Sequence, residues 1–144
     1  MARPEAWQTN PDSYPFSHRT ETRFADVDLL GHINNVSMAG LFEHGRGLFN
    51  HSMAVQRRTE GQRWLIARVE LNYLAEAHFP EHIYISSGIS RVGNSSWDIA
   101  SAAFQNDECK AVCMTTIVLT DKNGPALIGD ELRAEFERLS VVRG

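Results

Sequence analysis

The most informative segment of the chain is Asp26-Val27-Asp28-Leu29-Leu30-Gly31-His32-Ile33-Asn34-Asn35. It holds two acids, a glycine, an imidazole and two amide side chains within ten residues. The sequence before it, residues 16–24, predicts a short strand, and Val36 to about Met53 predicts a helix. The stretch is therefore a loop that leads into a long helix, and Asn34 or Asn35 can cap that helix.

A carboxylate next to a helix N-terminus can attack an electrophile or activate water. The N–H groups of the helix then receive the negative charge that develops. The loop around Asp28 is for this reason a candidate hydrolytic site. On local chemistry alone, the simpler interpretation that Asp26 and Asp28 are turn and cap residues stays open.

Length and charge exclude several classes of protein. The chain has 144 residues, a formal net charge of -4 and a sequence pI near 5.8. We expect an extended N-terminal arm over residues 1–18, where three of the five prolines lie, and one domain over residues 19–144. The acidic balance argues against nucleic acid as a partner. No apolar run is long enough to span a membrane and residues 1–4 lead into polar sequence, so we expect a cytoplasmic protein.

The helix pattern places apolar side chains at spacings of three to four residues, with Glu43, Arg46 and Asn50 on the other faces. Strands are then predicted over residues 64–74, 82–91, 96–105 and 110–120, and a terminal helix over residues 129–139. One long helix followed by an antiparallel meander is an α+β arrangement in which the sheet can wrap around the helix.

Two cysteines and several histidines are possible metal ligands. In one strand, Cys109 and Cys113 would lie on the same face roughly 13 Å apart, too far for a disulfide. They lack a second ligand pair, so we expect buried free thiols. His44 and His51 share a helix face without a third ligand, and His78 and His82 are expected at the surface. The sequence thus predicts no metal site.

These features resemble the hotdog-fold thioesterases of the 4-hydroxybenzoyl-CoA / long-chain acyl-CoA thioesterase family. The similarity covers about Phe16 to Leu139. The matching residues are Arg23 to Asp28, Gly31 to Asn35, Phe42-Glu43, Arg46, Val69 to Tyr73 and Gly93 to Ser96. The resemblance implies a hotdog fold, an antiparallel β-sheet wrapped around a long central α-helix, with active sites between two subunits.

Roles for individual residues follow from the resemblance. It implies that Asp28 is the catalytic carboxylate, as nucleophile or as general base on water, and that the N–H of Asn35 polarises the thioester carbonyl. His32 and Asn34 lie in the connecting turn, where they can orient Asp28, contact the substrate or shape the loop. The other implied substrate-binding residues are Trp64, Leu65, Ile66, Ser95 and Ser96.

The expected function is that of an acyl-CoA thioesterase, which hydrolyses a fatty or aromatic acyl-CoA to free acid and CoA. The resemblance implies no cofactor and a homodimer or homotetramer. Two alternatives remain: a hotdog hydratase or dehydratase acting on acyl thioesters, and a non-catalytic acyl-CoA-binding module. Met38, Gly40, His44 and Gly45 depart from residues that are common in relatives, and the smaller ones would enlarge or redirect the acyl pocket.

Overall fold

A computed structural model describes residues 3–53 and 61–144 of the chain. Within these residues it has an α+β fold with six strands and two α-helices. In chain order the elements are β1 Phe16–Thr20, α1 Asn35–Ser52, β2 Arg63–Tyr73, β3 Ile83–Val92, β4 Ser96–Gln105, β5 Glu108–Asp121, β6 Gly124–Pro125 and α2 Asp130–Arg138. The predicted fold, with an antiparallel sheet around one long helix, is confirmed. No helix in the described part of the chain is both long and apolar enough to cross a membrane.

The sheet is antiparallel throughout, with the strand order β1-β3-β4-β5-β2 and the short β6 beside β5. Helix α1 lies across β1, β3 and β4. Helix α1 therefore covers edge strand β2 less than it covers these three strands. On the face of the sheet against which α1 packs, Ile66 and Val69 of β2 are each 51% exposed. These two apolar side chains lie between Trp64 and Leu71, which pack against the core.

The core on the helix side of the sheet has two parts. The first surrounds Phe49 and is completed by Met53, Ile89, Trp97, Ile99, Ile117, Leu119, Ile128, Phe136 and Leu139. The second surrounds Phe42 and is completed by Ile33, Met38, Ala77, Ile83, Ile85, Ala103, Ala111 and Cys113. Since Ile33 and Met38 belong to this second part, the loop before α1 is anchored directly in the core.

Most of the predicted boundaries agree with the structure to within two residues. Helix α1 begins at Asn35, and the side chain of Asn34 caps it by accepting a hydrogen bond from Val36 N (2.7 Å). The prediction that the first strand continues to Phe24 is wrong, because β1 ends at Thr20 and Phe24–Asp26 is a turn of 3-10 helix.

The N-terminal segment, expected to be extended over residues 1–18, is folded over most of its described length. Ala6–Thr9 and Pro11–Ser13 form turns of 3-10 helix. The ring of Tyr14 packs edge-on against Phe104 of β4, with the ring centroids 6.3 Å apart. This packing covers the outer face of the sheet, and it explains why a proline-rich sequence without periodicity is ordered there.

The two cysteines lie on opposite faces of the sheet, so the prediction of a shared face is wrong. Cys113 packs in the core beneath α1, whereas Cys109 packs on the outer face against the group around Tyr14. A β-bulge shifts the register of β5 between Cys109 and Ala111 and thereby reverses the alternation of side chains. Both thiols are free, and burial raises the pKa of each, that of Cys109 to about 11.

Helix α1 contains two glycines two residues apart whose surroundings differ. A Cβ on Gly45 would lie 2.9 Å from Ile85 Cβ on β3, whereas a Cβ on Gly47 would meet no described atom within 4 Å. Gly45 is thus required by the close packing of α1 on the sheet. Gly47 is not.

We expect Gly47→Ala to stabilise the protein by up to about 1 kcal/mol, because alanine favours the helix. Gly45→Ala is expected to destabilise it by about 1–3 kcal/mol, because the branched Ile85 side chain cannot yield without strain. Denaturant unfolding of both variants measures the difference. Equal effects of the two substitutions would show that Gly45 does not hold α1 against β3.

Candidate active site

The loop before α1 is held at its start by Asp26. This carboxylate is 2% exposed and accepts hydrogen bonds from Arg23 N and Arg23 Nη2, both at 2.9 Å. The bond from the Arg23 guanidinium is the main reason why the pKa of the Asp26 carboxyl lies below its usual value. The backbone oxygen of Asp26 also accepts from Asn34 N (2.7 Å). Asp26 therefore ties the beginning of the loop to the beginning of the helix, which is a structural role.

Asp28 is half-buried at the centre of the same loop, and one of its carboxylate oxygens accepts hydrogen bonds from the loop backbone. Oδ1 accepts hydrogen bonds from Leu30 N (2.8 Å) and His32 N (3.2 Å). The turn between them needs a positive φ, which Gly31 supplies at 83°. The second oxygen, Oδ2, accepts no hydrogen bond from residues 3–53 or 61–144. Asp28 is thus oriented through one oxygen while the other remains available.

The helix N-terminus beside this loop has a corresponding donor. Asn34 caps the helix, and Asn35 is the first helical residue. The carbonyl oxygen of Asn35 accepts from Tyr73 Oη (2.7 Å), which fixes this turn of α1 to the end of β2. The N–H of Asn35 donates to no acceptor in the described part of the chain. An N–H of this kind at a helix start carries partial positive charge and can receive a developing anion.

Asp28 and Asn35 line one cavity of about 380 Å³. His32, Met38 and Tyr73 contribute to the same wall. The structure thus brings together an available carboxylate oxygen, an available helix N–H and an apolar lining. Such a cavity can take a carbonyl group between the N–H and the carboxylate.

His32 contributes to this arrangement through its backbone. Its N–H donates to Asp28 Oδ1 and its carbonyl accepts from Asp28 N (2.9 Å). Its imidazole instead contacts Glu76, with 3.0 Å between Nε2 and Oε2, and lies 5.3 Å from the ring of His78. The expectation that His32 shapes the loop and orients Asp28 therefore has a structural basis in the main chain.

The remaining residues expected at the site lie elsewhere in the chain. Leu65 and Ser96 pair with the same residue of β5, Val118, so the predicted acyl-binding and CoA-binding residues lie close to each other. Tyr73 lies seven positions after Ile66 on β2, however, which is roughly 23 Å of strand. A single chain does not bring this second group to Asp28.

The members of the second group also have other contacts. Trp64 packs edge-on against Trp97 with the ring centroids 5.0 Å apart, and the Ser96 hydroxyl accepts from Arg91 Nη2 (3.1 Å). The Ser95 carbonyl accepts from Leu119 N (2.8 Å). Leu65 and Ile66 are about half exposed, at 49% and 51%. These two apolar side chains are the members of the group that are available for contact with another molecule.

Sequence reasoning missed the environment of Arg46 and the role of Tyr73. Arg46 was predicted on a face of α1 away from the core, but it is 7% exposed and donates from Nη1 to Thr115 Oγ1 on β5 (3.1 Å). Its long side chain reaches from the border of the buried face to the sheet. Tyr73 is part of the segment Val69 to Tyr73, which matches the thioesterase family. Its position at the end of a predicted strand is the only feature of the sequence that could have indicated its contact with α1.

A comparison with protein families finds a match that covers most of the chain. Residues 22–136 match the model of the thioesterase-like superfamily. The matched range contains the loop before α1, helix α1, strands β2 to β6 and most of α2.

Solved structures with the same fold include a thioesterase and a predicted thioesterase. A predicted thioesterase from Bacillus stearothermophilus is 25% identical, with a TM-score of 0.77 over 87% of this chain and 96% of that one. A thioesterase from Thermus thermophilus, complexed with coenzyme A and Zn, is 24% identical, with a TM-score of 0.78 over 89% and 96%. The PA5185 protein from Pseudomonas aeruginosa is 22% identical, with a TM-score of 0.80 over 94% and 99%.

Proposed function

Because this chain belongs to the thioesterase-like superfamily, we propose that it hydrolyses a fatty or aromatic acyl-CoA to the free acid and CoA. One observation carries the proposal. Asp28, whose Oδ2 accepts no hydrogen bond from the described residues, and Asn35, whose N–H has no acceptor among them, line the same cavity. A carboxylate and an oxyanion donor together can hydrolyse a thioester.

In the proposed reaction the thioester carbonyl oxygen accepts a hydrogen bond from Asn35 N–H. Asp28 either attacks the carbonyl carbon or takes a proton from the water molecule that attacks it. The carbon–sulfur bond then breaks, and CoA leaves as a thiolate that takes up a proton. If Asp28 has attacked, water hydrolyses the anhydride between Asp28 and the acyl group and restores the carboxylate. On either route one water molecule is consumed for each acid formed. Since a thiolate is a good leaving group, the site needs no strong acid, and one oxyanion donor contributes about 10²–10³ in rate.

Two features support an acyl-CoA as the substrate. The Thermus thermophilus relative is a thioesterase in complex with coenzyme A. On this chain, apolar side chains border the cavity and its mouth: Leu30 is 78% exposed, and the neighbouring Leu29 is fully exposed. An acyl group would contact these side chains, while the polar CoA arm would lie outside.

We further propose that a second copy of the chain completes each site. Strand β2 is a long edge strand with half-exposed apolar residues, a surface that soluble proteins rarely leave unpaired. A two-fold contact would pair β2 with its copy antiparallel. The Ile66 end of one strand would then lie near the Tyr73 end of the other, which would bring the two groups of predicted site residues together.

The proposed activity is tested by a panel of straight-chain and aromatic acyl-CoA compounds, with release of the CoA thiol measured directly. Enoyl-CoA hydration and acyl-CoA binding are measured on the same protein. Catalytic thiol release supports the proposal. Hydration of the enoyl group, or binding without turnover, would instead support the hydratase or the binding module.

Met38 and Gly40 provide a test of the acyl pocket. Met38 lines the cavity, whereas a Cβ on Gly40 would meet no described atom within 4 Å and Gly40 does not line the cavity. Met38→Phe is expected to lower kcat/KM for longer or wider acyl groups relative to shorter ones. The expected difference is about 1–3 kcal/mol in transition-state free energy for each methylene group that no longer fits. Gly40→Ala is expected to leave the acyl profile unchanged and to stabilise the helix by up to about 1 kcal/mol.

The profile of kcat/KM against acyl chain, recorded beside the thermal stability of each variant, checks this prediction. An altered acyl profile in Gly40→Ala with none in Met38→Phe would show that the acyl group occupies another part of the molecule.

A further inference from the structure

Three side chains that can bind a metal converge beside the cavity. They are His32, from the loop before α1, and Glu76 and His78, from the segment after β2. One ligand atom from each lies within 4.8 Å of the others. Glu76 and His78 are exposed and His32 is partly exposed, so the group is open to ions from solvent.

The main chain holds these residues in place. An antiparallel bridge joins His32 to His78, and Ile33 N donates to the carbonyl of Ala77 (2.8 Å). The side chain of Gln105, 2% exposed, accepts from His78 N (2.9 Å) and donates to the carbonyl of His78 (2.8 Å). The two histidine backbones are therefore fixed relative to each other before any ion binds. Fixed ligand positions lower the entropic cost of binding.

We propose that His32, Glu76 and His78 form a binding site for a zinc-class divalent cation. Two imidazoles and one carboxylate are a ligand set that Zn²⁺ uses, with the fourth tetrahedral position taken by water. Mg²⁺ and Ca²⁺ prefer sites made of oxygen ligands, so the two nitrogens select against them. Small side-chain rotations bring the ligand atoms to the roughly 2 Å that Zn–N and Zn–O bonds require.

The site would act on the loop that carries Asp28. His32 N–H and C=O hold the Asp28 carboxylate and main chain. A cation shared with Glu76 and His78 would link this loop to the segment after β2. The cation takes no part in the proposed hydrolysis. Its binding is a property of the folded protein, which can be measured without any substrate.

The test uses chelator-treated protein without a histidine tag, titrated with Co²⁺ and followed by its visible d–d absorption. Competition with Zn²⁺ and calorimetry give the affinity for zinc. We expect one equivalent of Co²⁺ to bind with tetrahedral spectral features, Zn²⁺ to displace it, and Zn²⁺ to raise the Tm.

His78→Gln and Glu76→Gln are expected to weaken Zn²⁺ binding by at least about 10–100-fold, the loss seen when a residue that only supports a ligand is removed. His82→Gln is the matched control, because His82 lies four residues from His78 and packs on Tyr84 outside the group. It is expected to bind like the wild type. Both ligand positions are exposed, so the variants should fold, and circular dichroism checks this. If wild type and His78→Gln bind Zn²⁺ equally, the proposal is overturned.

Discussion

Asp28→Asn is expected to fold normally and to lose about 10²–10⁴-fold in kcat, the range over which a general base contributes. The amide oxygen of asparagine can still accept from Leu30 N and His32 N, so the loop keeps its shape. What disappears is the negative charge of the carboxylate, which the proposed mechanism requires in the transition state. We therefore expect a much smaller change in KM. Steady-state kinetics of thiol release, together with thermal unfolding, measure both effects.

The matched control for this variant is Glu43→Gln. Glu43 is an exposed carboxylate on α1 that does not line the cavity. The same chemical change is expected to leave kcat unaltered there. Full activity of Asp28→Asn would show that Asp28 is not the catalytic carboxylate. An equal loss of kcat in Glu43→Gln would indicate that the reacting carboxylate lies on α1.

The second large effect is expected from Val69→Lys, in the middle of edge strand β2. Val69 is 51% exposed and pairs with Thr115 on the face that α1 shares. A lysine there would place a charge in the proposed contact between subunits. We expect self-association to weaken by about 2–4 kcal/mol, roughly 30- to 1000-fold. Activity should fall in parallel, because each site then lacks the residues of the partner subunit.

Sedimentation over a range of protein concentrations, with activity measured in the same samples, checks this prediction. Leu127→Lys is the control, because Leu127 is a 78% exposed apolar residue remote from β2 in sequence and outside its strand pairing. It should leave both assembly and activity unchanged. A Val69→Lys monomer with full activity would contradict the shared site.

Local sequence signals predicted the long helix and the four long strands well. Helix α1 has apolar residues at helical spacing and a capping asparagine directly before it. The turns between β3, β4 and β5 are short, so the meander follows from the chain order. The N-terminal turns could not be predicted in this way, because the packing of Tyr14 on Phe104 holds them. The β-bulge that places the two cysteines on opposite faces of the sheet could not be recognised in the sequence.

In the candidate site, too, the contacts between residues close in sequence could be predicted, and those between distant segments could not. The loop residues Asp28 and Asn35 are close in sequence, and the turn between them places both at one cavity. The contact of His32 with Glu76 and His78 joins segments more than forty residues apart, whereas the sequence had indicated only that His78 and His82 lie at the surface. The residues near Ile66 lie about a strand length away from Asp28, and the proposed second copy of the chain would bring the two groups nearer.

Hydrolysis of an acyl-CoA by water can be followed by turnover in ¹⁸O-labelled water. Thiol release and the mass of the acid are measured in the same reaction. We expect catalytic release of CoA, with one labelled oxygen in each molecule of acid formed over many turnovers. Absence of thiol release from every acyl-CoA tested, or release of CoA without label in an acid product, would contradict it.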